Sequence, residues 1–136
     1  MFPLETKILI VDDMPAIRDL LKGALKGMGY KIIHDFPDGE AAKLFLVDCF
    51  ASGAPVELVI SDWNMPKLTG LELLKQVRAS KHMVNLPFIL LTSESERDQV
   101  TEAILSGVSQ YVVKPFTAKM IEEKMKSARQ KHHAAK

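Results

Sequence analysis

The 136-residue sequence has one cysteine, one tryptophan and a formal net charge of only +1. A single thiol excludes an intramolecular disulfide and any Cys-based metal cluster, which leaves Cys49 as a small, partly buried apolar residue on a helix. No apolar run approaches the length of a membrane-spanning helix, and the start Met1-Phe2-Pro3-Leu4-Glu5 lacks the basic and apolar stretches of a secretion signal. The consistent expectation is a reducing, cytoplasmic setting without membrane insertion. With 18 Lys and Arg against 17 Asp and Glu, the chain carries no global pull toward nucleic acid. Lys124, Lys126, Arg129 and Lys131 do gather late in the chain, but without interleaved aromatics, and cations there complement the carboxyl end of a helix. No nucleic-acid partner is expected, and His132-His133 reads as part of a frayed tail rather than a metal site. Repeats, low-complexity tracts and linkers are absent too. The length suits one domain with its core over about residues 6–130, a monomer with no output domain attached.

What the sequence does have is a set of apolar runs, each ending on a residue that carries chemistry. Ile8-Leu9-Ile10-Val11 runs into Asp12-Asp13, and Leu58-Val59-Ile60 into Ser61-Asp62-Trp63-Asn64-Met65-Pro66. Phe88-Ile89-Leu90-Leu91 ends on Thr92, and Tyr111-Val112-Val113 on Lys114-Pro115. Short unbroken apolar runs bounded by polar and turn residues read as buried strands. Strand and helix patterns alternate about five times, which implies an α/β fold with a parallel sheet covered on both faces. If these strands lie parallel, Asp12, Asp13, Asp62, Thr92 and Lys114 emerge on one edge, the edge where open α/β sheets place their chemistry.

The intervening segments carry helix signals. Pro15 opens a helix striped with Ile17, Leu20, Leu21, Ala24, Leu25 and Met28, which Gly29 stops. Lys31 to Phe36 has polar ends and reads as an edge strand. Asp38 is suited to cap a helix carrying Ala41, Leu44 and Phe45, closed by Ser52-Gly53-Ala54-Pro55. Thr69-Gly70-Leu71-Glu72 has capping-box spacing ahead of a helix to about Arg78, and Ser93-Glu94-Ser95-Glu96 has it ahead of a helix ending near Gly107. Thr117 is placed to cap the last helix.

Three carboxylates about 5 Å apart, at an effective dielectric of about 20, repel pairwise by roughly 3 kcal/mol. Such a cluster needs a cation, and hard oxygen donors without His or Cys favour Mg2+ over Zn2+. Asp13 suits a second role as N-cap of the first helix.

The ordered set Val11-Asp12-Asp13, Ile60 to Pro66, Gly70-Leu71-Glu72-Leu73-Leu74-Lys75, Leu91-Thr92 and Tyr111 to Thr117 resembles the receiver domains of two-component response regulators, and among them the single-domain chemotaxis type. The resemblance implies a flavodoxin-like fold, five parallel strands in the order 2-1-3-4-5 between five helices; that order is the one known for this type of regulator. It implies that Asp62 accepts a phosphoryl group from a sensor histidine kinase, with Mg2+ held by Asp13, Asp62 and the Asn64 backbone carbonyl and with Asp12 acting through water. Thr92 and Lys114 would cover the phosphoryl charge, and Asn64 and Glu94 would tune its hydrolysis. The only catalysis expected is this self-catalysed transfer and reset. A cis peptide before Pro115 would aim Lys114.

Output would pass to a separate partner, a flagellar switch protein by analogy, through Val100, Ile104 and Val108 with Tyr111 and Lys124. By periodicity alone the Val100, Ile104, Val108 stripe reads as core. A phosphatase partner and a phosphorelay role are also open. Thr69 stands where many relatives carry Asp, and both residues cap. A flavin- or nucleotide-binding flavodoxin-like protein would want a Gly/Ser/Thr-rich loop where Asp12-Asp13-Met14-Pro15 stands. A haloacid-dehalogenase-type phosphatase would want a second Asp where Asn64 stands.

Overall fold

The structure is a computed structural model that describes residues 2–93 and 100–134. Its elements are β1 (Lys7–Val11), α1 (Pro15–Gly27), β2 (Ile32–Phe36), α2 (Gly39–Ala51), β3 (Leu58–Asp62), α3 (Gly70–Ala79), β4 (Phe88–Thr92), α4 (Val100–Leu105), β5 (Gln110–Val113) and α5 (Ala118–Ala134). The strands pair in parallel in the order β2-β1-β3-β4-β5, the flavodoxin-like arrangement. The polar-ended segment is indeed the edge strand.

Successive strand residues face opposite sides, so one sheet builds two apolar layers. Leu9, Val11, Val59, Phe88 and Leu90 pack toward α2, α3 and α4. Ile8, Ile10, Leu58, Ile60, Ile89, Leu91 and Val112 pack toward α1 and α5. β3 and β4 are buried along their whole length. Each such side chain contributes about 1.5–3 kcal/mol of transfer free energy, and together they make the strand ends a rigid platform.

The caps follow the sequence signals. Asp38 accepts from the Ala41 N–H at 2.8 Å. Thr69 Oγ1 accepts from the Glu72 N–H at 3.1 Å while Glu72 Oε1 accepts from the Thr69 N–H at 2.9 Å. Thr117 Oγ1 accepts from the Met120 N–H at 3.2 Å. Gly29 takes a φ of 102° just past α1, a conformation that side-chain-bearing residues resist. Cys49 is buried on α2 as expected.

Two helix faces differ from the periodic reading. Leu20 is 53% and Leu44 63% exposed, while α1 buries Leu21 and Leu25 and α2 buries Ala42, Leu46 and Cys49. In α2 the run Leu44-Phe45-Leu46-Val47 is apolar on all sides, so its phase is chosen by contact with the sheet rather than by pattern. Among the described residues no helix is long and apolar enough to cross a membrane.

Candidate functional site at the carboxyl edge of the sheet

Strand register decides what meets at this edge. Val11 lies beside Ser61, so Asp12 falls level with Asp62; Thr92 lies beside Val113, so Lys114 follows one step beyond. Carboxylate oxygens of Asp12, Asp13 and Asp62 all lie within 4.8 Å of one another. Asp12 is fully buried and Asp62 nearly so, whereas Asp13 is exposed. The Lys114 ammonium sits between the two buried acids, donating to Asp62 Oδ1 at 3.1 Å and to Asp12 Oδ2 at 3.3 Å. Burial draws the Lys114 pKa down, but the contacts with Asp62 and Asp12 outweigh it and hold the amine above its ordinary value. One ammonium against three carboxylates leaves the cluster electronegative.

Thr92 supplies the complementary feature. It is fully buried, and its Oγ1 has no hydrogen-bond partner among the described residues. A buried hydroxyl without an acceptor is a cost the fold carries. Its backbone meanwhile fixes the neighbouring loop, because the Thr92 carbonyl accepts from the Lys114 N–H at 2.7 Å. The Lys114–Pro115 peptide is cis, as the resemblance implied.

Asp13 does not cap α1. Met14 is the N-cap residue and makes no side-chain cap bond; its N–H goes instead to Asp12 Oδ1 at 2.9 Å. Pro15, at the first helical position, has no N–H to satisfy. Asn64 is exposed two residues beyond Asp62. Glu94 lies outside the described residues, as does most of its capping box.

The output residues divide. Ile104 is 58% exposed and Val100 partly so, but Val108 is only 5% exposed and belongs to the core. The assignment of Val108 to an accessible partner face is therefore corrected. α4 ends at Leu105, and Gly107 at a φ of 92° breaks the i, i+4, i+8 line. Ala103, fully buried, takes the core position instead. Tyr111 is half-buried beneath Lys124, whose ammonium lies 5.6 Å from the ring centroid.

Gly70 and Arg18 were missed. A Cβ on Gly70 would run into the Asp62 carbonyl oxygen and the Leu90 side chain, so the first turn of α3 presses directly on the strand end that carries Asp62. The only sequence signal was a glycine just after a cap. Arg18 donates to the Asp12 carbonyl from what reads as the polar face of α1. A cavity of about 460 Å³ opens at the opposite, amino-terminal edge of the sheet, near Phe50, His82 and Met83, well away from this cluster.

Hard oxygen donors and an electronegative gap fit a hard divalent cation, and an unpartnered hydroxyl and an ammonium at the same sheet edge fit an incoming oxyanion. A doubly covered parallel sheet with acids, a hydroxyl and an amine at its carboxyl edge is the arrangement of the receiver class. The chain belongs to the response regulator receiver domain family, which it matches over residues 8–126. It is similar to the chemotaxis protein CheY of Pseudomonas aeruginosa, 40% identical over 119 residues that cover 88% of this chain and 92% of that one. CheY-3 of Vibrio cholerae is 39% identical, covering 88% of each. The solved structure of the chemotaxis response regulator CheY4 of Vibrio cholerae aligns with a TM-score of 0.78 at 30% identity, over 91% of this chain and 98% of that one.

Proposed function

We propose that this protein is a phosphorylation-activated signalling switch in which Asp62 takes a phosphoryl group from a phosphohistidine of a sensor kinase. The observation that carries the reading is the meeting of Asp62 with Asp12, Asp13, Lys114 and the unpartnered Thr92 hydroxyl at one sheet edge. A carboxylate oxygen of Asp62 attacks phosphorus, the P–O bond forms as the P–N bond breaks, and the imidazole leaves. Lys114 holds positive charge beside the equatorial oxygens. Thr92 donates its hydroxyl to one of them and so acquires the acceptor it lacks. Asp13, Asp62 and the Asn64 carbonyl would hold Mg2+, with Asp12 acting through water. Bound there, Mg2+ neutralises charge on the transferring group. Later attack by water on the acyl phosphate resets the switch, at a rate that Asn64 and Glu94 would tune by the family resemblance.

The proposed output is binding to a separate partner. The relatives' names support chemotaxis, which makes a flagellar switch component the proposed target. The accessible part of the output face is Val100, Ile104, Tyr111 and Lys124. Its setting is cytoplasmic. Incubation with acetyl phosphate and Mg2+ followed by intact-protein mass spectrometry tests the central step. The parent gains one phosphoryl group and Asp62→Asn gains none; undiminished labelling of Asp62→Asn places the acceptor elsewhere.

A further inference from the structure

Asp12 is held from several sides, and one of those holds is a side chain outside the cluster itself. Its N–H donates to the Phe36 carbonyl at 3.2 Å, and its carboxylate takes the Met14 N–H and the Lys114 ammonium. Its carbonyl oxygen accepts from Arg18 Nη1 at 2.7 Å. The same guanidinium donates through Nε to Asp35 Oδ2 at 3.0 Å, with the two side chains only 17% and 26% exposed. Arg18 is thus a strut from the edge strand β2 to the loop that follows β1.

The carbonyl that Arg18 holds belongs to the peptide joining Asp12 to Asp13. That unit is planar, so fixing its oxygen also fixes the nitrogen from which Asp13 is built. Asp13 is exposed, and no side chain among the described residues grips its carboxylate. Its place in the cluster is therefore set through the backbone.

We infer that Arg18, braced by Asp35, is a positioning residue that sets the Asp12–Asp13 peptide and thereby the cation affinity of the acidic cluster. The inference rests on the reading of that cluster as a Mg2+ site. Charge and geometry predict opposite signs here, which makes the role separable from simple electrostatics. Removing a nearby cation would by Coulomb's law tighten binding of Mg2+; removing a strut loosens it. Lysine keeps the charge but puts all its donors on one nitrogen, whereas the guanidinium reaches the Asp12 carbonyl and the Asp35 carboxylate from two separate nitrogens held in a rigid fork.

The test is calorimetric titration of Mg2+ into the full chain and into Arg18→Lys, Arg18→Gln and Asp35→Asn, with Mg2+-free melts alongside. Arg18→Lys is expected to raise the Mg2+ dissociation constant by about tenfold, the usual scale for a residue that orients a ligand. Asp35→Asn shifts it in the same direction, and Arg18→Lys with Asp35→Asn is no worse than Arg18→Lys alone, because both act through one strut. Asp35→Asn leaves Arg18 in place; because losing an anion also weakens cation binding, its shift supports the strut only through non-additivity with Arg18→Lys, while an unchanged dissociation constant in Asp35→Asn counts against the strut should the Arg18 variants fold poorly. Dissociation constants within about twofold of the parent, or tighter binding by Arg18→Gln, would overturn the inference even if the melting points fall. A parent chain that binds no Mg2+ overturns the cluster reading and this inference with it.

Discussion

Thr92 and Lys114 show how the site holds unspent interaction energy next to a satisfied pair. The Thr92 hydroxyl is buried without an acceptor, which costs the fold about 1–3 kcal/mol relative to a shape-matched apolar group. Thr92→Val is therefore expected to raise stability by about 1 kcal/mol, read as a higher urea midpoint at unchanged slope. A comparable loss instead would mean that the hydroxyl has a partner in solution. Lys114 behaves oppositely, because its ammonium answers two buried carboxylates. Lys114→Met should cost about 2 kcal/mol at neutral pH, less than for a fully buried pair because the amine is 22% exposed. Its folded pKa lies above the ordinary lysine value. The stabilisation is therefore fully present below the unfolded pKa of about 10.4 and is lost as pH rises through the higher folded one. Urea midpoints from about pH 7 to 12 should show a constant gap between parent and variant that narrows only at the alkaline end. A gap that closes below about pH 9 would contradict the pairing.

At the scale of elements, local chemistry predicted termini well and helix faces less well. Asp38, Thr69 and Thr117 cap as their spacing suggests, because a cap is a contact over three residues and needs nothing from the rest of the chain. The buried face of α2 was misjudged, since four consecutive apolar residues leave the choice to the sheet. For Val108 the periodic reading as core holds and the partner-face role implied by the resemblance does not, because the backbone turns out of the helix at Gly107 and carries Val108 inward. Gly70 escaped notice because close approach between elements leaves no trace in sequence spacing. The division of the output stripe predicts that Ile104→Asp changes stability by no more than about 0.5 kcal/mol, as exposed substitutions usually do. Val108→Asp, which buries an unpaired carboxylate, should unfold the domain or cost about 4 kcal/mol or more. Thermal melts of the two variants decide this. Similar behaviour would mean that both side chains share one environment.

The whole molecule makes the acidic cluster a global quantity. Two of its carboxylates, on adjacent residues after β1, meet a third about 50 positions later at the end of β3, so the unfolded chain offers no preformed three-acid site. The meeting of the site residues at one edge is legible because four apolar runs each end on one of them, whereas the strand order follows from the family resemblance and not from the runs. What the order could not supply is the electrostatic balance, three acids against one shared ammonium, which follows only from register. A cation that binds only the folded form stabilises it by mass action. At about ten times its dissociation constant, Mg2+ should add roughly 1.4 kcal/mol, a rise of about 5 °C in melting temperature for a chain of this size. Asp13→Ala should abolish most of that rise. Because Asp13 is exposed and stands beside two other acids, its removal should leave the Mg2+-free melt unchanged or slightly higher. Calorimetric melts of both chains with and without Mg2+ give the four values required. An equal rise in parent and Asp13→Ala would place the cation elsewhere, and no rise in either would remove the metal from the switch.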